Sequence, residues 1–131
     1  MRYAIGIDLG GTNIAAGLVN EKYELMRKAS QPTGADRPWQ EIVADMAALA
    51  LRLMTDSGLD AADCAGIGVG SPGTCNAATG EVVYSNNIRW AHVPLGPEIT
   101  RLTGLPCRVS NDANCAAMGE TVAGGAKGCR N

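Results

Sequence analysis

The first third of the chain alternates short apolar runs with clusters of turn-forming residues. Residues 3–8 are mostly apolar and end in an acid, and a Leu-Gly-Gly-Thr-Asn cluster separates them from a second apolar run at residues 14–19. A polar Asn-Glu-Lys turn then leads into residues 23–29, where apolar and polar positions partly alternate. Short runs broken in this way predict β-strands joined by tight turns. The opening therefore predicts a three-stranded antiparallel meander.

A longer periodic segment follows a predicted loop over residues 31–36. Its apolar positions recur at helical spacing. They are Trp39, Ile42, Val43, Met46, Leu49, Ala50, Leu53 and Met54. Asp36 is a candidate N-cap with Pro38 in the first turn, and Ser57 with Gly58 is a candidate stop. The pattern predicts one amphipathic helix between these signals.

The remaining segments alternate predicted strands and helices. They are a small-residue apolar strand at 65–70, a small hairpin with its turn at 77–80 and a strand at 81–84, a short helix within 94–105, a strand at 107–110 and an Ala-rich helix at 112–122. An apolar run after a helix favours a parallel strand inside a covered sheet. Three antiparallel strands followed by alternating strands and helices predict an α/β fold with one mixed five-stranded sheet covered by helices.

Composition narrows the class of protein. A chain of 131 residues with 46% hydrophobic residues supports one compact core, so one domain is expected. A net charge of -2 without a basic block argues against a nucleic-acid partner. The N-terminal apolar run is too short for a signal peptide, and no run approaches the roughly 18 apolar residues of a membrane span. The five cysteines form no Cys-x-x-Cys pair, which favours free thiols in a cytoplasmic protein.

The strongest local motif is Asp-Leu-Gly-Gly-Thr-Asn at residues 8–13. The paired glycines Gly10 and Gly11 allow backbone amides to approach a phosphate closely, and Asp8 at a strand end can hold Mg²⁺ directly or through water. The alternative is an ordinary hairpin turn. The motif is neither a Walker A loop nor a Gly-x-Gly-x-x-Gly loop.

A second polar cluster, Ser-Asn-Asp-Ala-Asn at residues 110–114, lies where a predicted strand gives way to a helix. A carboxylate there, Asp112, can face a cleft outside the carboxyl ends of the strands, although a helix N-cap is the simpler reading. Residues 68–73 and 85–90 offer backbone and side-chain amide groups that could bind hydroxyl groups. The alternative is that both segments are ordinary loops. His92 is the only histidine, which leaves little support for a catalytic triad or a multi-histidine metal site.

Taken together, these motifs resemble the ROK family of sugar kinases over essentially the whole chain. Residues 8–13 are similar to the family's first phosphate motif, and residues 68–73 with Thr79 and Gly80 to its sugar-side loop. Residues 87–95 resemble its Asn-Leu-Gly-Trp segment, and residues 111–120 its catalytic segment. Four motifs in the family's order make a chance match implausible.

The resemblance implies an actin-like, ribonuclease-H-like lobe and ATP-dependent phosphorylation of a hexose hydroxyl, with glucose and its carbon-6 hydroxyl favoured. It assigns the general base to Asp112 and a role in placing Mg²⁺ to Asp8. The implied cofactor-binding residues are Asp8, Gly10, Gly11, Thr12 and Asn13. The implied substrate-binding residues are Gly73, Asn87, Asn111 and Asp112.

The resemblance also implies that residues 1–131 form the N-terminal lobe of a homodimeric enzyme. A second lobe would supply a further phosphate motif and a structural zinc site, so this chain alone is expected to be inactive. Asn86 and Arg89 depart from the family pattern beside Asn87. Three alternative functions therefore stay open, which are those of an N-acetylmannosamine kinase, a fructokinase and a non-catalytic sugar-sensing regulator. The first predicted strand begins near Tyr3, which argues against the regulators, because those carry a DNA-binding segment before the lobe.

Overall fold

A computed structural model describes residues 3–22, 24–71, 74–76, 79–85 and 90–110, and within them two sheets and two α-helices. The larger sheet has the strand order β3-β2-β1-β4-β8 and the smaller one β5-β6-β7. The strands are β1 (Tyr3–Leu9), β2 (Asn13–Val19), β3 (Leu25–Pro32), β4 (Cys64–Gly70), β5 (Thr74–Asn76), β6 (Glu81–Ser85), β7 (Trp90–Val93) and β8 (Cys107–Ser110). The helices are α1 (Trp39–Asp56) and α2 (Leu95–Thr103), and a single 3-10 turn spans Ala61–Asp63.

The larger sheet confirms the predicted mixed, five-stranded α/β layout. Strands β1, β2 and β3 pair antiparallel in chain order, as the meander requires. Strands β4 and β8 then extend the sheet parallel to β1, each reached through a helix. The turn between β2 and β3 is held by the buried side chain of Asn20, whose Oδ1 accepts bonds from the amides of Lys22 and Glu24.

One face of the larger sheet forms the hydrophobic core with both helices. In β1 the alternate residues Ile5, Ile7 and Leu9 are buried in this core, whereas Asp8 on the opposite face is exposed. Successive side chains of a strand point to opposite faces, and on the face of Asp8 the small residues Ala4 and Gly6 are buried as well. Helix α1 completes the core with buried residues three or four apart, which are Ile42, Val43, Met46, Ala47, Leu49, Ala50, Leu53 and Met54.

The predicted start of helix α1 was wrong in one detail. Pro38, rather than Asp36, occupies the N-cap position, and its backbone is extended with no side-chain capping bond. The fixed φ of proline suits the entry to a helix, so the helix begins directly after it. The predicted stop is confirmed, because Ser57 is the C-cap and Gly58 follows with a φ of 73°.

Two further boundaries differ from prediction. Strand β3 runs through Gln31 to Pro32, which were predicted as loop, because they pair with Ile14 and Asn13 of β2. The predicted small hairpin exists, but a third strand, β7, joins it, pairing antiparallel with β6. Only four residues long and with both central positions exposed, β7 has too weak an apolar pattern to be recognised alone.

The smaller sheet contacts the rest of the molecule through a glycine pair. The amide of Gly96, in the first turn of α2, donates to the Gly80 carbonyl at 2.8 Å. A Cβ atom on Gly96 would lie only 3.1 Å from the Cα of Gly80. This close backbone approach places the hairpin turn of the smaller sheet against α2. Neither α-helix within the described ranges has the length and apolarity needed to cross a membrane.

Candidate functional site

The predicted phosphate motif is a tight turn between β1 and β2. The Gly10 amide donates to the Asn13 carbonyl at 2.9 Å, which closes the turn. A Cβ atom at Gly10 would stand 2.9 Å from that same carbonyl oxygen, closer than real Cβ contacts allow, so only glycine fits this position without a shift. Gly11 is half-buried, and Thr12 and Asn13 are exposed. The turn therefore presents its tip to solvent.

The hydrogen bonds of the turn separate its donors from its acceptors. The carbonyls of Gly10 and Thr12 both accept bonds from Thr33, from its hydroxyl and its amide respectively, at 2.8 Å each. Within the described part of the chain, no hydrogen bond engages the amides of Gly11 and Thr12. Donors at the tip are therefore available to an anion, while its nearest acceptors are already occupied.

Thr33 contacts the turn directly, although the sequence does not single it out. It lies in the predicted loop, yet it is fully buried, at 0% exposure. A threonine after a proline in a polar stretch carries no pattern that separates it from a solvent-exposed loop residue. Only the pairing of β3 with β2, which brings Thr33 against the glycine turn, reveals its position.

The carboxyl ends of three parallel strands meet at one edge of the larger sheet. Asp8 of β1 is in register with Gly70 of β4, and Gly70 with Ser110 of β8. At the usual spacing of neighbouring strands, the backbones of Asp8 and Ser110 are about 10 Å apart. Strand β8 therefore ends level with Asp8, with β4 between the two strands. Ligands of open α/β sheets bind at this edge.

Of the predicted site residues, the structure describes Asp8, Gly10, Gly11, Thr12 and Asn13, and it brings them together in one strand end and turn. The predicted base and the predicted sugar-side residues lie outside the described residues. They are Asp112, Gly73, Asn87 and Asn111. The predicted C-terminal helix at residues 112–122 lies outside them as well.

The strands that flank residues 86–89 are firmly held. Val82 of β6 is fully buried, and Trp90 and Val93 of β7 are 4% and 1% exposed. His92 is exposed, as predicted, with its Nδ1 3.0 Å from Glu81 Oε2 across the two strands. Residues 86–89, which include Asn87, are thus joined at both ends to strands that pack in the core.

The carboxylate of Asp8 is exposed and forms no ion pair or side-chain hydrogen bond with another described residue. No three His, Cys, Asp or Glu side chains in the described ranges are close enough to hold a metal ion by themselves. Mg²⁺ commonly uses one or two carboxylates together with substrate phosphates and water. An accessible, unpaired carboxylate beside a turn with available amides fits that mode of binding.

A groove of about 600 Å³ lies on the sheet face that Asp8 shares, away from α1. Asp8 and Lys28 border it, together with small residues of β1 and β2 such as Gly6 and Gly17. The glycine turn does not line this groove, so the turn and the groove are separate features that share Asp8.

Similarity to known proteins identifies the family of this chain. A family model described as "ROK family" matches residues 4–131. A glucokinase of Streptomyces coelicolor is 36% identical over the whole chain, and an N-acetyl-D-glucosamine kinase of Aliivibrio fischeri is 31% identical over 88% of it. The crystal structure of a ROK family glucokinase from Streptomyces griseus, in complex with glucose and AMPPNP, superimposes on 92% of the chain with a TM-score of 0.74 and 33% identity.

The chain spans 39% of the Streptomyces coelicolor relative, 36% of the Aliivibrio fischeri relative and 36% of the Streptomyces griseus chain. The structural likeness confirms the predicted actin-like, ribonuclease-H-like fold for the part that is covered. A match of the family model over nearly the whole length, with the fold and the motif order in agreement, establishes that this chain belongs to the ROK family.

Proposed function

We propose that the complete protein containing this chain is a sugar kinase that transfers the γ-phosphoryl group of ATP to a hexose hydroxyl, with the carbon-6 hydroxyl of glucose as the preferred acceptor. The observation that carries the proposal is the convergence of Asp8, the glycine turn and the end of β8 at one edge of the sheet. A phosphoryl-transfer site needs phosphate-binding donors and a base for the acceptor hydroxyl within reach of each other.

In the proposed reaction, Asp112 accepts the proton of the sugar hydroxyl as the hydroxyl oxygen attacks the γ-phosphorus. A new oxygen–phosphorus bond forms, the bond between the γ-phosphorus and the bridging oxygen breaks, and ADP leaves. Little covalent chemistry is asked of the protein, so positioning and charge stabilisation dominate. Asp112 follows β8 by two residues, and Ser110 ends that strand beside β4. This supports its assignment as the base.

Asp8 and the turn are proposed to act on the phosphate side. The amides of Gly11 and Thr12 would donate to phosphate oxygens, and Gly10 would permit the close backbone approach. Bound Mg²⁺ would neutralise phosphate charge, and Asp8 would hold it directly or through water. The side chain of Asn13, exposed at the start of β2, lies beside the same turn.

On the sugar side, we propose that Gly73, Asn87 and Asn111 bind hydroxyl groups of the hexose, with Asp112 contacting the attacking one. The strand anchors at Val82 and Trp90 support this role for the intervening segment. We further propose that a second lobe completes the nucleotide site and carries a structural zinc site, and that the complete protein is a cytoplasmic homodimer. The alternative acceptors are N-acetylmannosamine, N-acetylglucosamine and fructose.

The test is a coupled phosphorylation assay on the complete protein with ATP and a panel of hexoses. Replacing Asp112→Asn keeps the size of the side chain but removes the base, so we expect kcat to fall by about 10²–10⁴-fold. Asp56→Asn is the matched control, because Asp56 is exposed at the far end of α1 and forms only a weak 3.9 Å ion pair with Arg52.

Turnover of glucose that Asp112→Asn abolishes and Asp56→Asn retains would support both the reaction and the base. Full activity in the Asp112→Asn protein would remove Asp112 from the mechanism. A well-folded complete protein that phosphorylates no hexose would contradict the kinase proposal and favour a sugar-sensing role.

A further inference from the structure

Thr33 donates two hydrogen bonds to the glycine turn at residues 10–13, on the side of the turn that faces the protein interior. Its hydroxyl donates to the Gly10 carbonyl, and its amide donates to the Thr12 carbonyl, each at 2.8 Å. With its side chain at 0% exposure, Thr33 makes these bonds out of contact with water. A buried hydroxyl that satisfies a backbone carbonyl is costly to remove, because the carbonyl then loses its partner.

The bond to the Gly10 carbonyl fixes the direction of one donor at the tip of the turn, the Gly11 amide. In a planar trans peptide the carbonyl and the following amide point in opposite directions. A Gly10 carbonyl directed at Thr33 therefore turns the Gly11 amide away from Thr33, toward the side of the turn where no described residue engages it. The two bonds from Thr33 keep two carbonyl oxygens, which would repel a phosphate, directed inward.

Arg37 connects this arrangement to helix α1. Its Nη2 donates to the Thr33 carbonyl and to Asp45 Oδ2, at 2.7 Å in both cases. Its Nη1 lies a further 3.8 Å from Glu41 Oε1. Asp45 and Glu41 both belong to α1, so the turn is tied through Thr33 and Arg37 to the helix that covers the core.

We propose that Thr33 is a positioning residue for the phosphate-binding turn. It holds the Gly10 carbonyl inward so that the Gly11 amide stays directed at the phosphates of a nucleoside triphosphate, and it keeps the Thr12 carbonyl oxygen turned away from them. The proposal rests on the proposed function for the identity of the ligand, but the hydrogen bonds themselves stand without it. Thr33 does not touch the ligand; it acts through the turn.

The test compares Thr33→Val with Thr33→Ser in the complete protein. Valine keeps the shape of threonine and the backbone amide but lacks the hydroxyl, whereas serine retains the hydroxyl. We expect Thr33→Val to raise the KM for ATP about tenfold, the size expected for one carbonyl left unsatisfied. We expect the KM for glucose to change less than about twofold, and Thr33→Ser to restore most of the ATP affinity.

Thr103→Val is the matched control. The hydroxyl of Thr103 also donates to a backbone carbonyl, that of Ile99 at 2.7 Å, but at the end of α2. The Thr103 hydroxyl also accepts a bond from the Leu105 amide at 3.2 Å, so Thr103→Val removes hydroxyl bonds far from the turn. A positioning role therefore predicts a higher KM for ATP in Thr33→Val and not in Thr103→Val. Equal changes in both KM values, or equal effects of the two valine variants, would overturn the proposal.

A second measurement does not depend on turnover. The Gly10 amide is bonded to the Asn13 carbonyl at 2.9 Å, so its hydrogen exchange reports whether the turn is intact. We expect Thr33→Val to accelerate its exchange about tenfold and Thr103→Val to leave it unchanged. Unchanged exchange would refute the positioning role. Faster exchange in a protein without hexose kinase activity would keep that role and refute only the proposed function.

Discussion

At the scale of single residues, the glycine turn depends on residues that close packing or hydrogen bonds hold in one conformation. Gly10 has no room for a Cβ atom, and Thr33 is a buried polar residue whose hydroxyl and amide are both used. Asp8 is the reverse case, an exposed carboxylate that forms no ion pair or side-chain hydrogen bond with another described residue. The contrast between fully satisfied supporting groups and unsatisfied ligand-facing groups is typical of binding sites.

Cys107 gives a residue-scale prediction that depends on pH. Burial raises the pKa of Cys107 to about 12, from an ordinary value of 9.0, because the thiolate is poorly solvated at the start of β8. At pH 9 we expect its alkylation by iodoacetamide to be about a thousandfold slower in the folded protein than in urea, since only the thiolate reacts. Peptide mass spectrometry measures the rate at this position.

The sign of the linked stability follows from the same pKa. Folding favours the neutral thiol, so the stabilisation is complete below pH 9 and is lost as the pH rises toward 12. The Cys107→Ala variant lacks this titration, and its free energy of unfolding should fall less steeply over that range. Equal alkylation rates in folded and unfolded protein would contradict the assignment.

At the scale of elements, contacts between strands and helices decide where the loops of the site lie. Strand β3 pairs with β2 to its last residue, which brings Thr33 to the glycine turn. Helix α2 ends at Gly104, whose left-handed conformation directs the chain into β8. The smaller sheet meets the N-terminal turn of α2 through Gly80 and Gly96. The β2–β3 pairing and the Gly80–Gly96 contact join segments that are far apart in the sequence, whereas the Gly104 cap is local.

The glycine contact yields an element-scale prediction. In Gly96→Ala the new Cβ would lie 3.1 Å from Gly80 Cα and 3.3 Å from its carbonyl oxygen. Alanine improves helix propensity by up to about 1 kcal/mol, but crowding of two backbones costs about 1–3 kcal/mol. We therefore expect a net loss of stability in denaturant unfolding. If the smaller sheet carries sugar-binding residues, we also expect the KM for glucose to rise while that for ATP stays unchanged.

Thr100→Ala is the control for this variant, because Thr100 is an exposed position of the same helix. It should change the free energy of unfolding by less than about 0.5 kcal/mol. If Gly96→Ala is as stable as the unaltered protein or more stable, the backbone at Gly80 can shift away without loss of stability. That result would contradict a fixed contact between Gly80 and Gly96.

At the scale of the whole molecule, the chain places one side of the proposed phosphoryl-transfer site at one end of the larger sheet. The strand order puts β1 at the centre, with the meander on one side and the parallel strands on the other. The glycine turn and β8, the strand that precedes Asp112, thereby come from opposite halves of the sheet. The chain spans only 36–39% of the relatives described above, so the opposite wall of such a cleft is proposed to come from a second lobe.

The corresponding prediction concerns residues 1–131 as an isolated protein. Phosphoryl transfer depends on holding the nucleotide and the acceptor in line, and one wall of a cleft cannot do this. We expect hexose phosphorylation by the isolated chain to be at least roughly a thousandfold slower than by the complete protein, measured by the same coupled assay. Turnover within about tenfold of the complete protein would show that one lobe suffices.

The sequence by itself determined the alternation of strands and helices, the mixed sheet, the amphipathic face of α1 and the family to which the chain belongs. The elements follow from periodicity and from turn-forming residues such as those at 10–13, which are local in the chain, and the family follows from the order of motifs along it. The stop of α1 at Ser57 could be predicted for the same reason.

Only the tertiary structure decided which residues support the site. The burial of Thr33, its bonds to Gly10 and Thr12, and the approach of Gly96 to Gly80 each join segments at least 16 positions apart. The N-cap at Pro38 has a local cause, the fixed φ of proline, and was missed because Asp36 is the more usual capping residue. The short strand β7 was missed because its pairing with β6, rather than a local pattern, fixes where it begins. Strand pairing and close packing carry this information, and neither leaves a periodic pattern in the sequence.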